Sequence, residues 1–133
     1  LLQRNCNKLF YERNSQMNSY EQSILTAKAI SSKKGLNIKL IEIGDISSLA
    51  DYMVIATGTS STHVKAIADE VEYQLDEAGI SVSHIEGYRS NSWILLDYVD
   101  VIVHIFSDEA REFYDLERLW QDGKEIDISN IVD

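Results

Sequence analysis

Residues 92–106, SWILLDYVDVIVHIF, read as two short apolar strands joined around Asp97-Tyr98-Val99-Asp100. Side chains in a strand alternate between its two faces. With Tyr98 and Val99 as a two-residue loop, Asp97 falls opposite Asp100, Leu95 opposite Ile102 and Trp93 opposite His104. The other face is then wholly aliphatic, with Ile94, Leu96, Val101, Val103 and Ile105. That division makes one face core. The other, which mixes a large aromatic, a titratable ring and paired carboxylates, is the place to look for function. Like charges directly opposite on a sheet destabilise it by something on the order of 0.2–1 kcal/mol. The pair therefore either sits in water at the tip or meets a cation there. Because turns favour Asp in any case, an ordinary solvated turn is the plain alternative.

Working outward, Tyr52-Met53-Val54-Ile55-Ala56 is a continuous apolar run, as in a strand covered on both sides. It leads through Thr57-Gly58-Thr59-Ser60-Ser61 into a helical pattern of Val64, Ile67, Ala68, Val71 and Leu75, which Gly79 ends. Upstream, Ser19 and Gln22 fit a capping box opening a helix over 19–34 that Gly35 terminates, and Leu36 to Ile43 follows as a partly polar strand. Ile80 to Ser83 alternate as a further strand. After Phe106, Ser107 can cap a short helix with Asp108 and Glu109 in its first turn, and Asp115 to Gln121 forms another. Phe113, Tyr114, Leu116, Leu119 and Trp120 crowd these two segments and are expected mostly to seal the core, although Trp and Tyr also serve as interface anchors. The fold class is α/β: a single domain with a mixed sheet of about five strands flanked by helices and a helical crossover between the second and third. Residues 18–123 form this domain. Residues 1–17 read as a leader or remnant outside the fold, and 124–133 as a frayed acidic tail.

The chain of 133 residues is 44% hydrophobic and has one cysteine, Cys6. That suits one independent core, permits no intrachain disulfide and leaves no apolar run near the roughly 18–20 residues of a membrane-spanning helix. Its net charge of −10 is unevenly spread: residues 1–67 carry eight Lys/Arg and five Asp/Glu, residues 68–133 four and seventeen. The acidic half repels phosphate backbones and attracts basic surfaces, so little direct nucleic-acid contact is expected.

Catalytic chemistry finds little support. The Gly58–Ser61 junction could cradle a phosphate at a helix N-terminus, yet with one Gly and no following Lys it fits an ordinary loop and N-cap better. Asp97 and Asp100 could converge on a divalent cation, but no substrate-positioning groups accompany them. His63, His84 and His104 have no metal-ligand spacing, and His84 with Glu86 is a weak ligand pair at best. No cofactor, metal or catalytic residue is assigned.

Three blocks carry a resemblance: ADYMVIATGTSSTHVKAIADEV (50–71), EGYRSNSWILLDYVDVIVHIF (86–106) and REFYDLERLW (111–120). In order and spacing they resemble the Iojap-like ribosomal silencing factors over roughly residues 19–123. One departure is Val99, where family members often carry Gly; since valine resists positive φ, the turn is expected to avoid that geometry. The resemblance implies a nucleotidyltransferase-like mixed sheet without demonstrated transferase activity, and often a homodimer. It implies cytoplasmic repression of translation, with organellar members known. It further implies that the large ribosomal subunit is bound through ribosomal protein L-fourteen and that joining of the small subunit is blocked. A metal-dependent nucleotidyltransferase is the alternative. The expected partner-binding residues are Trp93, Leu95 and Tyr98 as apolar contacts, Asp97 and Asp100 as acids facing Lys or Arg, and His104 beside them.

Overall fold

The structure is a computed structural model that describes residues 17–90 and 92–132; the leader expected over 1–17 thus falls, apart from Met17, outside the described residues. Helix α1, Ser19–Ser32, starts where expected and ends two residues sooner, but its capping box is set one residue earlier. Asn18 is the cap, with Oδ1 accepting from the Glu21 N–H at 2.8 Å and Glu21 answering the Asn18 N–H at 3.2 Å. Strand β1, Leu36–Glu42, runs antiparallel to β2, Tyr52–Gly58, whose seven residues are all buried. Helix α2, Ser61–Glu77, buries Val64, Ile67, Ala68, Val71 and Leu75, the stripe its 3.6-residue period dictates.

Strand β3 is His84–Glu86 rather than 80–83. Ile80 and Val82 do pack against the core, but as an unpaired strap leaving α2, tied in by the Ser83 N–H donating to the Asp97 carbonyl. Burial alone satisfies their alternation, so the pattern needs no ladder there. Strands β4, Trp93–Asp97, and β5, Val101–Ser107, follow, then helices α3, Asp108–Tyr114, and α4, Leu116–Leu119. Lys124–Ile126 is a sixth strand, β6, paired antiparallel with β1, and Ile128 is buried beyond it. The expected acidic tail at 124–133 is therefore corrected: Lys124 and Glu125 are exposed on a short edge strand, while Ile126, Ile128 and Ile131 join the core.

The sheet order is β3-β4-β5-β2-β1-β6, with only β2 and β5 parallel. Helices α1 and α2 cover one face and bury it with Val54, Ile94, Leu96, Val103 and Ile105. The opposite face holds a smaller cluster, Ile41, Ile43, Met53, Ile55, Phe106 and Ala110, closed by Leu116 and Trp120. Arg111 fastens α3 there: it donates to Glu117 Oε1 at 2.8 Å, to the Asn37 carbonyl at 2.6 Å and to Thr57 Oγ1 at 2.8 Å. Lys39 reaches the other Glu117 oxygen at 3.1 Å, and the two cations together hold that carboxyl below the usual range.

The β4–β5 register differs from expectation by two residues: Trp93 pairs with Phe106, Leu95 with His104, Asp97 with Ile102. A shift of two keeps every side chain on its face, so the division into two faces holds while the opposed aspartates do not. Tyr98 instead closes the ladder with Val101, and Val99-Asp100 forms the loop. The Asp100 N–H donates to the Tyr98 carbonyl at 2.8 Å around Val99 at φ +74°, a γ-turn of the strained, positive-φ kind. So the glycine-favouring geometry is adopted with a valine in it. The tip is held from both sides: Asp97 Oδ1 accepts from the Val99 N–H at 2.8 Å, and the Asp100 carbonyl accepts from the Asp51 and Tyr52 N–H groups. Strain of this type costs roughly 1–3 kcal/mol, and Val99 is 60% exposed, so little packing offsets it. Val99→Gly is therefore expected to raise the urea midpoint by a stabilisation of about 1 kcal/mol, after the added freedom of glycine in the unfolded chain is subtracted. An unchanged or lower midpoint would contradict the strained turn.

Candidate functional site

On the sheet face away from α1 and α2, the layer of α3 and α4 stops short. It covers β2 and β5 and reaches Trp93 at the start of β4, but leaves β3 and the rest of β4 without a helix above them. Register places His84 and Glu86 of β3 beside Asp97 and Leu95 of β4 on this face, with Trp93 at its inner border. Trp93, Leu95 and Asp97 are half-buried, and Asp100 is exposed at the turn. His84 Nε2 lies 3.0 Å from Glu86 Oε1, so this pair is closed on itself. Among the described residues no three His, Cys, Asp or Glu side chains gather into a metal-holding group.

An aromatic series crosses from core to surface here. His104 lies parallel to Phe106, centroids 5.9 Å apart at 5°. Trp93 stacks on Phe106 at 5.1 Å and meets Tyr114 at 4.6 Å. Phe113 packs edge-on against Tyr114 at 5.1 Å. Trp93, Leu95 and Tyr114, with Glu86, Ser90 and Ser92, line a groove of about 230 Å³.

Two of the six sequence-assigned residues are not where contact with a partner would need them. Tyr98, beyond the shifted register, points to the helix-covered face and is 5% exposed; burial, with Glu72 and Asp76 nearby, pushes its hydroxyl's pKa up. His104 is on the correct face but lies under Trp93 at 7% exposure. Trp93, Leu95, Asp97 and Asp100 remain accessible, although the acids are no longer opposed. Sequence reasoning also missed the C-terminal contribution: Phe113 is 81% and Leu119 71% exposed, and Tyr114 is exposed too, where a core role was expected. Of α3 only Ala110 is buried, because Asp115, at φ +47°, breaks the helix and redirects α4 so that Leu116 and Trp120 do the packing instead. Five large apolar residues on so short a pair of helices, more than one side can bury, was the available signal.

Burial lowers the His104 pKa from 6.5 to about 4. Trp93 Nε1–H donates to His104 Nδ1 at 3.1 Å, so the ring is the neutral tautomer protonated at Nε2. Between those two values the unfolded chain binds a proton that the folded state refuses. This contribution to stability is complete above pH 6.5 and shrinks as pH falls toward 4, by about 2 kcal/mol at pH 5. Urea midpoints at pH 7.5 and 5 are expected to fall further apart in the wild type than in His104→Gln. Equal losses in both proteins would show that the ring is not held neutral.

The Gly58–Ser61 junction is an ordinary cap. Ser60 Oγ accepts from the His63 N–H, the Thr59 N–H donates to His63 Nδ1 at 2.8 Å, and His63 Nε2 donates in turn to the Lys33 carbonyl at 2.7 Å. The donors a phosphate would use at Thr59 and His63 are thus engaged within the chain. Among the described residues no helix is long and apolar enough to cross a membrane.

Comparison with known proteins gives the same fold and a family. The chain is similar to the ribosomal silencing factor of Bacillus subtilis, 40% identical over 81% of this chain and 93% of that protein. A crystal structure from Chromobacterium violaceum, 38% identical, superposes with a TM-score of 0.77 over 79% of this chain and 88% of its own. A mouse protein named for mitochondrial assembly of the ribosomal large subunit is 30% identical over 63% of this chain and 38% of its length. Residues 16–133 match the family described as ribosomal silencing factor during starvation. This α/β domain, with its half-covered sheet face, belongs to the ribosomal silencing factor family.

Proposed function

We propose that this protein silences translation by docking on the large ribosomal subunit, through a basic ribosomal protein of the L-fourteen type, and so blocking the small subunit from joining. The role is steric and regulatory rather than catalytic. The observation that carries this reading is the uncovered β3–β4 face, where Trp93, Leu95, Tyr114 and Glu86 line a groove and Asp97 follows Leu95 two positions along the same face of β4. An aromatic anchor within an acidic rim suits a basic protein surface and repels bare phosphate. Family membership supplies the ribosome, and the large-subunit name of the mouse relative points to which subunit.

Sedimentation with purified subunits tests it. The protein is expected to travel with the large subunit, to ignore the small one, and to lower the yield of joined ribosomes when both are mixed. Travelling with the small subunit, or with neither, would refute the proposal. The double variant Asp97→Asn/Asp100→Asn, which keeps an oxygen for the Val99 N–H, is expected mainly to slow association and flatten its dependence on salt, by about threefold at low ionic strength. Association kinetics at two salt concentrations check this. Identical salt slopes would remove these carboxylates from the interface.

A further inference from the structure

We propose that His104 is a positioning residue for docking, which holds the Trp93 indole in its binding orientation from beneath and touches no partner itself. This inference rests on the reading that the Trp93 face meets the ribosome. A polar ring at 7% exposure within the apolar strand β5 needs a compensating contact. It has one in the Trp93 indole N–H, 3.1 Å from Nδ1. Phe106 fixes the imidazole plane from one side by parallel stacking, and Leu95 is its ladder partner on β4. The indole is thereby caught between a hydrogen bond to β5 and the Phe106 and Tyr114 rings, at 5.1 and 4.6 Å.

Two consequences matter for docking. An indole nitrogen is a donor only, and here its one donor is already engaged inside the chain. A partner that covers the indole therefore strands no indole donor and can meet the ring with apolar surface. Second, a half-exposed tryptophan would otherwise lose rotamer freedom on binding, whereas this one is ordered beforehand. His104 is thus the reason that a flat aromatic stands ready at the edge of the groove.

Trp93 and Trp120 are the two tryptophans, so ¹⁵N-labelled protein gives two indole N–H signals, which Trp120→Phe assigns. In the wild type the Trp93 signal is expected to exchange slowly with solvent. Exchange as fast as a free indole would overturn the proposal without any variant at His104. His104→Phe, which removes the acceptor and keeps a ring, is expected to speed that exchange and to weaken large-subunit binding about tenfold. His104→Gln, with an amide oxygen in reach, is expected to recover part of both. Trp93→Phe, which deletes the N–H but keeps a stacked ring, is expected to weaken binding to a similar degree, and adding His104→Phe to it should cost nothing more. A folded His104→Phe that binds like the wild type overturns the positioning role, as does Trp93→Phe with undiminished affinity. The underlying docking reading fails separately, if Trp93→Ala binds the large subunit as well as the wild type.

Discussion

Trp93→Ala is expected to weaken large-subunit binding by roughly thirtyfold or more, the equivalent of about 2 kcal/mol for a central aromatic anchor. Trp93 borders the groove, stacks on Phe106, meets Tyr114 at a tilt, and is partly exposed. Its truncation removes the ring that borders the groove and unsettles Tyr114, 4.6 Å from it. A stability loss is expected too, since the Phe106 ring beneath is wholly buried and would be uncovered. Binding is therefore to be titrated at a temperature where circular dichroism shows the variant folded. Affinity within twofold of the wild type would take Trp93 out of the interface.

Arg111→Met is expected to have the largest effect on stability, a loss of about 2–4 kcal/mol. The guanidinium satisfies three acceptors at once, the Thr57 hydroxyl, the Asn37 carbonyl and Glu117, and Thr57 is fully buried. Methionine fills comparable space but leaves these groups unsatisfied, and only Lys39 continues to pair with Glu117. Because Arg111 ties α3 to β1 and β2, the aromatic series through Tyr114 should loosen with it. Chemical denaturation measures the loss, and Tyr114 side-chain dynamics by NMR its spread. A change under 0.5 kcal/mol would mean that these contacts contribute little to holding α3.

Much of this arrangement was legible from residue order, for identifiable reasons. The two faces of the β4–β5 hairpin follow from strict alternation, and that reading survived a register error because a slip of two residues preserves parity. The register itself depended on a valine accepting φ +74°, a conformation that local preference argues against and that the contacts of Asp97 and Asp100 enforce. Helix α2 was readable because its apolar stripe keeps a regular helical period against the sheet and the neighbouring helix α1. By contrast, Lys124 and Glu125 hide β6, since a short edge strand pairs through its backbone whatever its side chains are. For the site, alternation located Trp93, Leu95 and Asp97. It could not tell that Phe113, Tyr114 and Leu119 stay outside or that His104 lies beneath another ring, because both depend on how far α3 and α4 extend across the sheet.

The half-covered face can be tested by where it touches the ribosome. A photo-crosslinking phenylalanine analogue placed at Phe113, 81% exposed beside Tyr114, compares directly with the same analogue at Tyr73, 61% exposed on α2 across the sheet. With purified large subunits, the expected result is a single major product from position 113, joined to one basic ribosomal protein, and none from position 73. Crosslinks from position 73 alone, or from position 113 into ribosomal RNA only, would contradict docking through this face.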